Sequence, residues 1–550
     1  IEAVWAFPLP KEASLSELSI VVDETRVIGE VVEKQEARRI YGAEKYAGED
    51  TALAEQNAFY DYRIQLARVP AGGDVHVRIV YYQPLDIDSG VGRYIYPLDE
   101  GNTDDMKSSF WTLSKEVEGE LEIDVTLKTA VPVDGLHCPS HGGFQANQVD
   151  ATTWRGLWNA SGQTLDRDFV LYYRLREDVP ARVELLTHRR PGDAEGTFMA
   201  VVTPGSDLAK VEAGTDWAFV LDVSGSMQGE KMRVLSRGVA KALGELGAKD
   251  RFHLIAFNQN ASALTQGWLP ATPENANKAG AVVGGLSAGG STNVVAGLET
   301  AYRALDADRP SAIILVSDGV ANTGPHHYRD FIELAKKHDV RLFTFVIGNS
   351  ANVRMLEDLA TETNGFAKLV SVRDEIGAHL LLAQDRMSHE AMHGVELVLD
   401  GAVERHPKTL PSLYLGQQLT VFGRYGKTGP TTLRVKARIS GEEKTWELPV
   451  DLPAENTANP ELERLYALSA ITDLEREAWL RTGDPGEAKG AIVDMALRYS
   501  LVTDYTSMIV VADERKSLYG LGNANATRRA AEEQAAAQRA HTGNQVQTVT

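Results

Sequence analysis

Five residues in this sequence have the types and spacing to hold a hard divalent cation. Asp222, Ser224 and Ser226 alternate along "LDVSGSMQGEKM", which begins at Leu221. Thr292 lies in "GGSTN" (289–293), and Asp318 closes "ILVSD". Mg²⁺ takes six oxygens at about 2.0–2.1 Å and keeps some of them as water. Two carboxylates and three hydroxyls supply hard oxygens, some directly and others by holding the ion's waters. With only two formal negative charges around it, the ion stays electrophilic and seeks an anionic oxygen from outside, such as an acidic side chain of a partner. Mn²⁺ and Ca²⁺ accept the same donors. Ser291, next to Thr292, is an alternative hydroxyl. Ser, Asp and Thr also cap helices with no metal present, and a lone D-x-S-x-S reads that way.

The elements that must position these residues favour the metal. "DWAFVLDV" from Asp216 is a continuous apolar run, as expected of a strand buried on both faces. Met232, Leu235, Val239, Leu243 and Leu246 follow at helical steps. "RFHLIAF" (251–257), "SAIILVSDG" (311–319) and "VRLFTFVIG" (340–348) read as further buried strands, and "NVVAGLETAYRAL" (293–305) and "HHYRDFIELAKKH" (326–338) as helices. "VRMLEDLAT" and "GFAKLVS" continue the alternation to about 371. Strand–helix alternation with short links predicts a parallel, doubly wound α/β sheet. Such sheets bind ligands beyond the carboxyl ends of their strands, where strand order reverses. Asp222 and Asp318 close two of those strands, and Thr292 opens a helix between them.

The flanks read differently. Residues 1–213 are β-rich, with alternating runs at 72–85, 120–131 and 168–177 and one helical stretch at 31–48. After about 390 short strands return, followed by an amphipathic helix at 459–480 with Leu462, Leu465, Leu468, Ile471 and Leu474 on one side, a second helix at 486–499 and a strand within 500–513. From 516 onward apolar anchors vanish, which predicts a poorly ordered tail or a lone helix at 527–540. The expected architecture is multidomain: a β-rich, sandwich-like framework with an α/β Rossmann-like domain inserted in it, plus C-terminal strands and helices. The expected boundaries are 1–110, 111–213, 214–385, 386–515 and 516–550.

Composition narrows the function classes. The 550 residues are 43% apolar and 24% charged, which suits a folded multidomain chain. The formal charge of −21, from 77 acidic and 56 basic residues, argues against general nucleic-acid affinity. One cysteine, Cys138, allows no intrachain disulfide. No apolar run of about 18 residues predicts a membrane span. The sequence opens "IEAVWAFPLP", already strand-like and without Met, so any export signal is expected upstream.

"DVSGSM", the Thr in "GGSTN" and "VSDG" together resemble the metal-ion-dependent adhesion site of von Willebrand factor type A (VWA) domains. That resemblance implies metal ligation by Asp222, Ser224, Ser226, Thr292 and Asp318. "EARRIY", "ALAEQ" and "VPAGGDVHVRIVY" within 33–85 resemble the VIT domain that precedes the type A domain in inter-alpha-trypsin inhibitor heavy chains and their bacterial relatives. "RYSLVTDYTSMIVV" (498–511) resembles their closing segment. The earliest strands of that family's first domain are expected to be missing here. The resemblance implies a non-enzymatic adhesion or assembly protein acting outside the cytoplasm, which binds an acidic residue of a protein or matrix ligand through the cation. Two other readings stay open: a structural, matrix cross-linking or inhibitor-carrying role without metal-gated binding, and metal-assisted hydrolysis. The last needs a general base, for which His253 is the nearest candidate in sequence, within an apolar run.

Other motifs carry less. "VSGSMQGEK" lacks the spacing of a phosphate loop. His137, Cys138 and His141 could begin a zinc site, but no second pair accompanies them and a structural loop is expected. Asn159-Ala160-Ser161 matches a glycan acceptor, a motif without meaning if the source is bacterial.

Overall fold

A computed structural model describes residues 2–96, 117–176, 182–204, 214–305, 311–318, 340–347, 365–370 and 391–549, short breaks excepted, with isolated positions between 205 and 390. The expected helix at 326–338 lies outside the described residues. So does most of 353–361, of which Leu356, Leu359 and Ala360 are helical and buried.

The continuous apolar runs form the central sheet. Arg251–Phe257, Asp216–Asp222, Ser311–Ser317, Arg341–Ile347 and Phe366–Val370 lie side by side in that order, all parallel. Two short antiparallel strands, Ala261–Ala263 and Leu269–Pro270, pair with Arg251–Phe257. Numbered along the chain, the parallel order is 2-1-3-4-5, so the direction of winding reverses between Asp216–Asp222 and Ser311–Ser317. Both faces are covered. The Glu230–Glu245 and Pro273–Gly284 helices pack on one through Leu235, Val239, Leu243 and Val283. The Val294–Ala304 helix packs on the other through Val294, Leu298 and Ala301. The Pro273–Gly284 helix was not read from the sequence, although Thr272 caps it by accepting from Asn275 N and Pro273 opens it.

The framework folds from both ends of the chain. One sandwich packs Ser14–Val22 and its sheet neighbours against a second sheet through Leu18, Ile64 and Met508. That second sheet has the order Ala3–Pro8, Asp61–Leu66, Ala52–Gln56, Thr506–Val510, Glu30–Glu33, so a strand from beyond residue 500 sits among N-terminal ones. Residues 31–33 belong to its edge strand, and the helix expected at 31–48 is confined to Lys34–Ala47. Another sandwich unites the two sides of the central domain: Gly196–Thr203 precedes it, Leu419–Tyr425 follows it, and the two pair antiparallel. The α/β domain is thus an insertion in a β-rich framework.

Of the two expectations for the tail the helix holds, longer than 527–540 and packed against the framework. Ala524–Thr542 is helical and docks with Asn525, Arg529, Glu532 and Ala535 buried, and Gln547–Val549 adds a strand beside Arg182–His188. Its anchors are polar, so a search for apolar anchors could not find them. The expected stripe on the Leu462–Thr482 helix does face a core, with Leu462 and Ile471 buried and Leu465 and Leu474 packed against them, and the buried face also takes in Arg464, Tyr466 and Ala467. Among the described residues no helix is long and apolar enough to cross a membrane.

Candidate functional site

The predicted corners meet at the carboxyl edge of the central sheet, where the winding reverses. Asp222 ends its strand and is fully buried. Its Oδ1 accepts from Ser224 N at 2.8 Å and its Oδ2 from Ser317 Oγ at 2.6 Å. These two bonds fix the carboxylate plane. Burial pushes the Asp222 carboxyl above the ordinary range; the bonds from Ser317 and Ser224 pull the other way, and the negative charge of Asp318 adds to the upward push.

A short 3₁₀ turn, Gly225–Met227, carries the chain from the strand towards its helix. It sets Ser224 Oγ and Ser226 Oγ 3.1 Å apart, with Ser224 buried and Ser226 exposed. Two adjacent ligands in an octahedron with bonds of about 2.0–2.1 Å are about 2.8–3.0 Å apart. The two hydroxyls therefore already span roughly one octahedral edge.

The loop bearing Thr292 is stitched to the first loop. Gly225 N donates to Gly290 O at 2.9 Å and Gly289 N to Val223 O at 2.8 Å. The two loops approach closely at Gly225, where a Cβ would meet Gly290 O at 3.2 Å and press the loops apart by a few tenths of an ångström. Thr292 is buried, whereas Ser291 is half-buried with its N–H directed to Gln259 Oε1. Asn293 then caps the following helix by accepting from Ala296 N.

Asp318 follows its strand and is buried, and Lys231 Nζ donates to its Oδ2 at 3.2 Å. The donor set fits a hard divalent ion. Every candidate atom is oxygen, the carboxylates number two, and Asp222, Ser224, Thr292 and Asp318 are shielded from bulk water. Among the described residues no group of three or more His, Cys, Asp or Glu gathers anywhere, so a softer, imidazole- or thiolate-based centre is not formed there.

Two participants were missed in the sequence. Ser317 reads there as one more strand residue and Lys231 as one more helix former; only the fold brings them to Asp222 and Asp318. Ser317→Ala removes a buried donor to Asp222 and frees that carboxylate to rotate. The expected result is a loss of about 1–2 kcal/mol in the opening free energy of the central sheet, measured by amide hydrogen exchange of its strands against wild type.

The other candidates lie elsewhere. His253 is the third residue of its strand, with Nδ1 beside Thr265 Oγ1 at 2.7 Å and Gly267 O at 3.0 Å, and burial lowers its pKa. It is occupied within its own hairpin and distant in the strand from Asp222. His141 packs edge-on against Trp158 and pairs through Nδ1 with Ser140 Oγ, as a structural loop requires.

Comparison with known proteins agrees with this architecture. Residues 216–369 match the von Willebrand factor type A domain model, and residues 1–81 match the vault protein inter-alpha-trypsin domain model. The chain is 23% identical over 543 residues to inter-alpha-trypsin inhibitor heavy chain H3 of Rattus norvegicus, covering 93% of this chain and 60% of the relative. It is 24% identical over 556 residues to heavy chain H4 of Homo sapiens, covering 92% of this chain and 57% of that protein. It therefore spans under two thirds of the length of these relatives. A von Willebrand factor type A structure from Catenulispora acidiphila aligns with a TM-score of 0.39 at 14% identity, covering 59% of this chain and 88% of its own. The chain thus joins an N-terminal domain of the vault protein inter-alpha-trypsin type to an inserted von Willebrand factor type A domain, and over most of its length it is similar to the inter-alpha-trypsin inhibitor heavy chains.

Proposed function

We propose that the chain is a cation-dependent binding module and not an enzyme. Asp222, Ser224, Ser226, Thr292 and Asp318 hold Mg²⁺, or Mn²⁺ or Ca²⁺ in its place, directly or through water. The bound ion supplies a Lewis-acidic seat for a carboxylate of a protein or matrix partner. The observation that carries this reading is the meeting of three oxygen-bearing loops at the winding reversal of the sheet, with no imidazole or third carboxylate from the described residues beside them to act as a general base. Similarity to inhibitor heavy chains supports a role in binding rather than turnover, and supports placement outside the cytoplasm.

The test is calorimetric titration of the full chain with MgCl₂ and with MnCl₂, followed by partner capture with and without EDTA. Saturable cation binding and EDTA-sensitive capture are expected. Absence of any cation binding overturns the reading. Cation binding with EDTA-insensitive capture selects the structural or carrier role instead.

A further inference from the structure

The first turn of the Glu230–Glu245 helix holds a charge of the wrong sign. A helix N-terminus carries partial positive charge and favours acidic side chains, as Glu230 illustrates. Lys231 sits beside Glu230 but does not pair with it. Glu230 is taken by Arg233 at 2.7 Å and Arg237 at 3.3 Å. Lys231 instead reaches over the loop to Asp318, whose side chain is 1% exposed against 27% for the lysine. Nothing in the helix's own stability calls for a lysine there. What the position offers is a flexible, solvent-connected ammonium on a carboxylate that faces a second buried carboxylate.

We propose that Lys231 is a tethered counter-cation of the cup: its ammonium occupies Asp318 when no divalent ion is bound, and the ion must displace it, so that Lys231 sets the cup's cation affinity. This inference rests on the cup reading above. An ammonium and a divalent ion on the same carboxylate are like charges a few ångströms apart in a poorly solvated corner, and their repulsion favours occupancy by one of them. The lysine is the one that leaves, because its four-carbon stem carries the charge to water at little cost. Two effects follow. Without the ion, the buried carboxylates are partly neutralised and the loops hold their arrangement. With it, part of the ion's binding free energy is used in moving the ammonium, and the affinity is lower than the oxygens alone would give.

The experiment uses the full chain as wild type, Lys231→Met, Lys231→Gln and Lys231→Arg, each titrated with MgCl₂ by calorimetry after chelator treatment, with circular dichroism to verify folding. Roughly tenfold tighter Mg²⁺ binding is expected for the Met and Gln variants, and affinity within about twofold of wild type for Arg, which keeps the charge. Binding by Met and Gln variants where wild type shows none also supports the proposal. Unchanged or weaker binding by both neutral variants, beside a wild type that does bind, overturns it and leaves the cup reading intact. Absence of binding by every form overturns both.

Discussion

Glu532→Ala is expected to loosen the tail helix by about 3–5 kcal/mol, because it removes the carboxylate that two buried guanidinium groups share. Glu532 and Arg464 are both fully buried, with Arg464 Nε donating to Glu532 Oε1 at 2.7 Å. Arg529 Nη1 donates to Glu532 Oε2 at 2.6 Å while its Nε reaches Glu17 Oε2 at 3.0 Å. Arg464 continues to Ser500 O at 2.6 Å and Asn525 Oδ1 at 2.7 Å. Asn525 in turn donates its side-chain N–H groups to Ser16 O and Gly29 O. Glu30 accepts from Asn525 N and Ala526 N at the helix start, where a carboxylate is favoured. The network thus joins the N-terminal sandwich, the Leu462–Thr482 helix and the tail helix. It closes only if every member is present, and a half-satisfied buried network is worse than an apolar one.

The measurement is amide hydrogen exchange along 524–542, since a chain with several cooperative units has no single unfolding free energy. Protection there falls by about two to four orders of magnitude in Glu532→Ala, while amides of the central sheet keep theirs. Arg464→Met combined with Glu532→Met costs less than Glu532→Ala, because it removes both charges together and fills the space with apolar atoms. A Glu532→Ala effect below about 1 kcal/mol, or a double variant worse than the single, refutes the view that the charges act as a closed set.

This network marks the limit of what the sequence makes legible. The central sheet was readable because a strand buried on both faces must be apolar throughout, and Asp216–Asp222, Arg251–Phe257 and Ser311–Ser317 each carry that local signature. The ends of those runs then located Asp222 and Asp318, since a polar residue closing an apolar strand marks the edge of the sheet. Pairing across the framework left no such mark. Thr506–Val510 enters between Ala52–Gln56 and Glu30–Glu33 across more than 450 residues, and nothing in its own residues names those neighbours. The docking of the tail helix left no mark for a related reason. Its composition lacks apolar anchors, and a rule that equates burial with hydrophobicity fails where arginine and glutamate are buried as partners. Ser317 and Lys231 were invisible as site residues because their roles depend on which loops the fold brings together.

Asp222→Ala is the substitution expected to act most strongly on function. Asp222 is tied by its own carboxylate to the loop that follows it and to the neighbouring strand, through Ser224 N and Ser317 Oγ. With both oxygens so engaged, the carboxylate serves best by orienting Ser224 and holding an ion's water. Its removal deletes one of two formal negative charges and unpins the Ser224–Ser226 pair at the same time. Cation affinity is expected to fall at least about 100-fold, beyond the reach of calorimetry, with EDTA-sensitive capture lost in parallel. Folding is retained, because Leu221, Val220 and Phe219 hold the strand through apolar contacts. Asp222→Asn separates the two contributions: it keeps an acceptor for Ser224 N but not the charge, so an intermediate loss of affinity assigns part of the effect to orientation. Full Mg²⁺ binding by a folded Asp222→Ala chain would mean that the ion, if it binds, sits somewhere other than this corner of the sheet.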